Sequence, residues 1–183
     1  MNSFYSQEEL KEIGFKSYGE NVLISRKASI YSPERIKIGN NVRIDDFCIL
    51  SGNVEIGNYV HISAYVALYG KEGILIKDFC GCSARCTIYS VTDDFSGEYM
   101  ISPMVPDELT NITGGKVVLE KYVQLGANTV VMPNIKIKEG TAVGAMSFVN
   151  KNLEEWSIYA GIPCKKIKER NKNIIKLSKK IVK

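Results

Sequence analysis

Histidine is almost missing from this chain: among 183 residues there is one, His61. That excludes a three-histidine zinc site of the kind some β-helical enzymes build, because one histidine per chain cannot supply the ligand spacing. No run of 18 apolar residues occurs, which excludes a membrane-spanning helix. The opening Met1-Asn2-Ser3-Phe4-Tyr5 has no apolar core of the kind a signal peptide carries. Charge of one sign is scarce as well: 24 Lys and Arg stand against 20 Asp and Glu, and most of the +4 excess lies between Lys165 and Lys183. The basic residues are not interleaved with stacking aromatics, so nucleic acid is not an expected partner. Five cysteines, an odd number without secretory context, point to a reducing compartment and a cytoplasmic location.

What the chain does have is a six-residue step. It runs through Ile38, Ile44, Leu50, Ile56, Ile62 and Leu68, and again through Leu119, Leu125, Val131, Ile137, Val143 and Val149. Two residues before most of these sits a small or β-branched partner, such as Val42, Cys48, Val60, Val123 or Thr129. A period of six fits neither a helix nor a two-faced strand. It describes short strands separated by turns, three to a coil, with each coil about eighteen residues long. The expected fold is an all-β solenoid, a parallel β-helix. Cys80, Cys82 and Cys86 fall on the inward positions, so they read as small core residues rather than metal ligands.

Ser6-Gln7-Glu8-Glu9 is a capping box followed by Leu10, Ile13 and a stop at Gly14, predicting a helical cap within residues 1–20. The repeat body spans 21–152. Two-residue slips fall in Tyr31-Ser32-Pro33-Glu34 and in Tyr69-Gly70-Lys71-Glu72-Gly73. Between Ile88 and Leu119 about 25 residues exceed the period, so roughly 90–116 must leave the solenoid as an extended loop. Its apolar content (Phe95, Tyr99, Met100, Ile101, Met104, Val105) predicts packing against a neighbouring subunit. Residues 153–183 read as an exit loop followed by a C-terminal helix, with Pro163 near its first turn.

The hexads Ile38-Gly39-Asn40-Asn41-Val42-Arg43 and Ile56-Gly57-Asn58-Tyr59-Val60-His61 resemble those of the hexapeptide-repeat acyltransferases. Tyr159-Ala160-Gly161-Ile162-Pro163-Cys164 is similar to the segment that closes their coenzyme A site. Segments 43–52 and 93–99 look like a subgroup acting on dTDP-linked 4-amino-4,6-dideoxy sugars and on cell-surface sugars. The resemblance implies a left-handed β-helix, a homotrimer with sites between subunits, and acetyl-CoA as cosubstrate without a metal. It also implies coenzyme A contacts from Gly126, Ala127, Gly144, Ala145, Lys151, Ile162, Pro163, Lys165 and Lys168. The acceptor would be a sugar or nucleotide sugar, with lipopolysaccharide-type glycan assembly as the setting.

Acyl transfer from a thioester needs an acceptor stripped of a proton. His61 lies between inward Val60 and Ile62, so its ring points outward, and it is the leading general-base candidate. Galactoside-type relatives carry a catalytic histidine after a strand like Tyr89-Ser90-Val91-Thr92; here Asp93-Asp94-Phe95 follows instead. Asp93 and Asp94 are therefore candidates both for proton removal and, with Glu98 and Tyr99, for holding the acceptor. That departure favours an amine over a hydroxyl, and it argues against serine or homoserine acetylation. O-acetylation of a galactoside or surface polysaccharide is the alternative. A non-catalytic β-helix binding module is the remote one, and the long loop counts against it.

Overall fold

The computed structural model describes residues 3–181; the outermost residues of the expected end segments lie outside this range. The chain winds as a left-handed parallel β-helix of three faces. The first face stacks Val22–Ile24, Val42–Ile44, His61–Ile62, Gly81–Cys82, Gln124–Leu125 and Ala142–Val143. The second holds Ser29–Tyr31, Thr87–Tyr89, Val130–Val131 and Phe148–Val149, and the third Ile36–Ile38, Val117–Leu119 and Lys136–Ile137. Ile49–Ile56 and Ala67–Ile76 run unbroken from second to third face. A regular coil advances 18 residues, as from Arg43 to His61, and the two expected slips lengthen theirs to 20.

The inward hexad positions are the core. Ile44, Leu50, Ile62, Leu68, Leu125 and Val131 are fully buried, and so are Cys48 and Cys86. All five cysteines are buried thiols. Burial pushes Cys48 and Cys86 up to about 11 and Cys80 to about 12, which keeps them inert at neutral pH. The Ile-Gly-Asn turns have their own logic. The Asn58 side-chain carbonyl accepts the Asn40 N–H at 2.8 Å, and the Asp78 carboxylate accepts the Asn58 N–H at 2.9 Å, so polar side chains cap each coil onto the next. Gly39 precedes Asn40 because a Cβ there would run into the Gly57 carbonyl of the coil above. At the corners, non-glycine residues take left-handed φ, including Tyr59, Phe79 and Tyr122. That conformation costs on the order of 1 kcal/mol each, and ring stacking at 4.9 and 5.3 Å offsets part of it.

The N-terminal end is closed. Helix α1, Gln7–Ile13, has the expected capping box from Ser6 and a left-handed stop at Gly14, and it buries Leu10 over the first coil. The C-terminal expectation needs correction. Residues 154–163 do not lead into a helix: Ser157–Gly161 continues the first face, then pairs antiparallel with Cys164–Glu169. Pro163 sits in the turn of this hairpin, not in a helical first turn. Buried Ser157 and Tyr159 alternate with outward residues, so the segment obeys a strand period that the loss of hexads masks. The helix itself, α2, is only Asn173–Ser178. It is held on the outside of the prism by Tyr122 Oη and Ser178 Oγ at 2.8 Å, while Arg170 donates to the carbonyls of Tyr122 and Gly140.

The excursion leaves between the second and third faces, the same corner that carries both slips. Gly81 pairs with Gln124, 43 residues on where a regular coil advances 18, so 25 residues stand outside the repeat. They form an arm, not a random loop. Val91–Thr92 pairs antiparallel with Thr113–Gly114 at its root. Buried Ser90 pins that root by donating to Tyr69 O and accepting from Glu72 N, both at 2.9 Å.

Candidate active site

His61 stands on the outer side of the first face, directly above Arg43 in the stack. Its Nε2 lies 2.7 Å from Asp45 Oδ2, while Arg43 Nε donates to Asp45 Oδ1, also at 2.7 Å. Burial pushes the Asp45 carboxyl up, but the hydrogen bonds from Arg43 and His61 outweigh it and hold the group below its ordinary value. His61 is thus outward, as expected, and oriented by a carboxylate. Arg43 and His61 border a groove of about 460 Å³ whose lining also includes Ser63, Gly81, Ser83 and Gln124, and Asp45 braces both from beside it. Arg43, Asp45, Ser63, Ser83 and Gln124 are site residues the sequence reading missed. The signal that finds them is the 18-residue coil: it puts Arg43 under His61, and Asp45 under Ser63.

The other expected acceptor residues sit elsewhere. Asp93, Asp94, Glu98 and Tyr99 all belong to the arm, so one chain does not bring them to His61 on the first face. Asp94 is occupied: it accepts from the Ser96 N–H at 2.7 Å and from Asn111 Nδ2 at 3.0 Å, and these bonds lower its pKa. That is turn chemistry, closing the arm on itself. Among the described residues, the Asp93 carboxylate has no hydrogen-bond or ion-pair partner, which leaves it free for a ligand. Phe95 and Met104 are 80% and 89% exposed at the arm's surface.

The residues expected to face coenzyme A do come together. Gly126-Ala127, Gly144-Ala145 and Ala160-Gly161 lie on successive coils along the corner between first and second faces. Gly126 cannot be larger, since a Cβ would fall on the Ala145 N–H of the coil above. The amide N–H groups of Ala127 and Ala145 donate to nothing within the described chain, so this smooth corner offers stacked donors to a linear amide-bearing molecule. At its far end Ile162 and Pro163 are exposed on the hairpin turn. Lys151 lies near enough to Cys164 to act on it electrostatically, though burial dominates and keeps that thiol raised. Lys151, Lys165 and Lys168 are exposed and have no carboxylate partner among the described residues, a fit for the phosphates of a nucleotide-bearing donor.

A family model described as bacterial transferase hexapeptide (six repeats) matches residues 35–70. Over 178 residues, 96% of this chain and 93% of the relative, the sequence is 45% identical to a dTDP-4-amino-4,6-dideoxy-D-glucose acyltransferase of Escherichia coli. The chain belongs to the hexapeptide-repeat acyltransferases. Within this family it is also 29% identical, over 158 residues covering 81% of this chain and 76% of the relative, to the putative lipopolysaccharide biosynthesis O-acetyl transferase WbbJ of Escherichia coli K12. Among solved acyltransferases, AntD, an N-acyltransferase from Bacillus cereus crystallised with dTDP and 3-hydroxybutyryl-CoA, superposes with a TM-score of 0.97 at 56% identity. That match covers 100% of this chain and 97% of AntD.

Proposed function

We propose that this enzyme transfers an acyl group, acetyl in the first instance, from acyl-coenzyme A to the 4-amino group of a dTDP-linked 4-amino-4,6-dideoxy sugar. The product would serve cell-surface glycan synthesis in the cytoplasm. The observation that carries the reading is likeness along the whole chain: the Escherichia coli relative is named for that acceptor, and an AntD structure contains dTDP-4-amino-4,6-dideoxyglucose with coenzyme A.

The site is complete only in an assembly. The second face presents Ile49, Ala67, Val130, Met132 and Phe148 outward and only partly covered. Three copies packing these faces about one axis bring the first-second corner of each against the second-third corner of the next. The arm of one copy then lies along the groove and small-residue corner of its neighbour, and its apolar side chains are covered. Asp93 of the arm would thereby join the neighbour's Ser83. AntD has been crystallised as variants of one serine and of one aspartate ten residues further on, the spacing of Ser83 and Asp93 here.

In this arrangement Asp93 attracts the acceptor as an ammonium and takes its proton, so that the nitrogen lone pair can attack the thioester carbonyl. A C–N bond forms, the C–S bond breaks, and the leaving thiolate is protonated. Backbone donors on the small-residue corner steady the carbonyl oxygen as charge builds on it. The test is thiol release from acetyl-CoA or 3-hydroxybutyryl-CoA against dTDP-4-amino-4,6-dideoxyglucose, 3-amino nucleotide sugars and galactosides. Turnover is expected with the 4-amino sugar; turnover confined to hydroxyl acceptors would sink the proposal.

A further inference from the structure

We propose that Arg43 and His61, braced by Asp45, form the site that grips the diphosphate of the acceptor; this rests on the acceptor reading above. The two side chains project from adjacent coils of the first face. Asp45 engages Arg43 through Nε and His61 through Nε2, each at 2.7 Å. Both Asp45 oxygens are occupied by these bonds. The Arg43 guanidinium lies over the Phe4 ring, 5.2 Å from its centroid, which holds the group in place, while its terminal nitrogens and Nδ1 of His61 make no hydrogen bond in the described chain. A guanidinium fork fixed at one nitrogen matches phosphate oxygens with little further loss of side-chain freedom.

The surroundings suit an oxyanion chain. Directly above His61 in the stack is Gly81, a bare backbone floor, and beyond it the Gln124 amide. A Cβ at Gly81 would press on that amide, so glycine keeps the floor open. The Ser63 hydroxyl adds a donor along the rim.

Position along the solenoid decides which substrate this site serves. From His61 the stack passes Gly81, Gln124 and Ala142 to reach Ile158 beside the basic hairpin. Four coil spacings of about 4.8 Å separate the two cationic groups by roughly 19 Å. Phosphates of donor and acceptor repel, so a two-substrate enzyme gains by holding them at opposite ends with the reacting groups between. The hairpin lysines take one end, and Arg43 with His61 takes the other. His61 then serves binding, and proton removal stays with Asp93.

Titration calorimetry with dTDP as the probe tests this. Arg43→Ala and His61→Ala should each weaken dTDP by about ten-fold or more, and narrow the difference between dTDP and dTMP. Coenzyme A affinity and melting temperature should stay at wild-type values, showing that the variants are folded. In turnover, the acceptor KM should rise more than kcat falls. Unchanged dTDP affinity in both variants overturns the site, as does a collapse of kcat in His61→Ala at constant acceptor KM, which would return the imidazole to proton transfer. A wild-type protein that binds no dTDP overturns the acceptor reading itself, an outcome distinct from variants that bind as well as wild type.

Discussion

The regular coils and the arm are built on opposite terms. In the coils, a residue's place in the hexad fixes whether it is buried, and strands of the inner coils are bonded to the coils before and after them. The arm has no repeat; it is bonded chiefly at its root and turns Phe95 and Met104 almost wholly to solvent in a single chain. Coils supply rigidity and a surface of fixed spacing. In the proposed assembly the arm supplies reach, carrying the Asp93 carboxylate to a neighbouring chain. In the proposed reaction the rigid scaffold holds two phosphorylated substrates apart, and the group that acts between them comes from the arm.

That contrast can be broken at its strongest point by Asp93→Asn. Turnover should fall about 100- to 10,000-fold, the usual range for losing an acid–base group, while melting temperature and assembly mass are unchanged; full activity would place the chemistry in the coils alone. Next in size, Ile62→Ala, deep in the core, should lose about 2–5 kcal/mol in denaturant unfolding. Phe95→Ala, tested the same way at a concentration where chains are separate, should change stability by less than about 0.5 kcal/mol. Phe95→Asp with Met104→Asp sharpens the comparison further: light scattering should report a drop from three-chain to single-chain mass, with activity lost alongside. A stable wild-type monomer would remove the premise.

A small effect belongs to the cap. Ser6→Ala should cost about 1 kcal/mol. The Glu9 carboxyl, which accepts hydrogen bonds from Arg26 and from the Ser6 N–H, is lowered from 4.5 to about 2. Because the folded value is depressed, its contribution is present above 4.5 and is lost as pH falls through about 2. Arg26→Ala should flatten that part of the acid-unfolding profile.

Much of the scaffold was legible because burial in a solenoid is periodic. Ile38, Leu50 and Val131 announced their inward places, Cys80, Cys82 and Cys86 followed by position, and the excess between Ile88 and Leu119 measured the arm. The exit reads as a loop leading into a helix near Pro163 because the hexads stop at Val149, whereas Ser157–Gly161 keeps the first face going by strand alternation and Cys164–Glu169 pairs back on it. The site was half legible. His61 was expected outward and is; Asp94, a candidate for proton removal, accepts hydrogen bonds from Ser96 and Asn111 within its own loop, contacts that no sequence pattern announced.

The sequence by itself determined which side chains are buried, how many coils can form and where the repeat must be interrupted, since each follows from apolar spacing along the chain. Only the tertiary structure decided what the outward residues do. Asp45 is two residues from Arg43 and sixteen from His61, and it meets both because the coils stack. Contacts between coils depend on register and on the corner at which an insertion leaves, quantities that no local pattern of polarity contains.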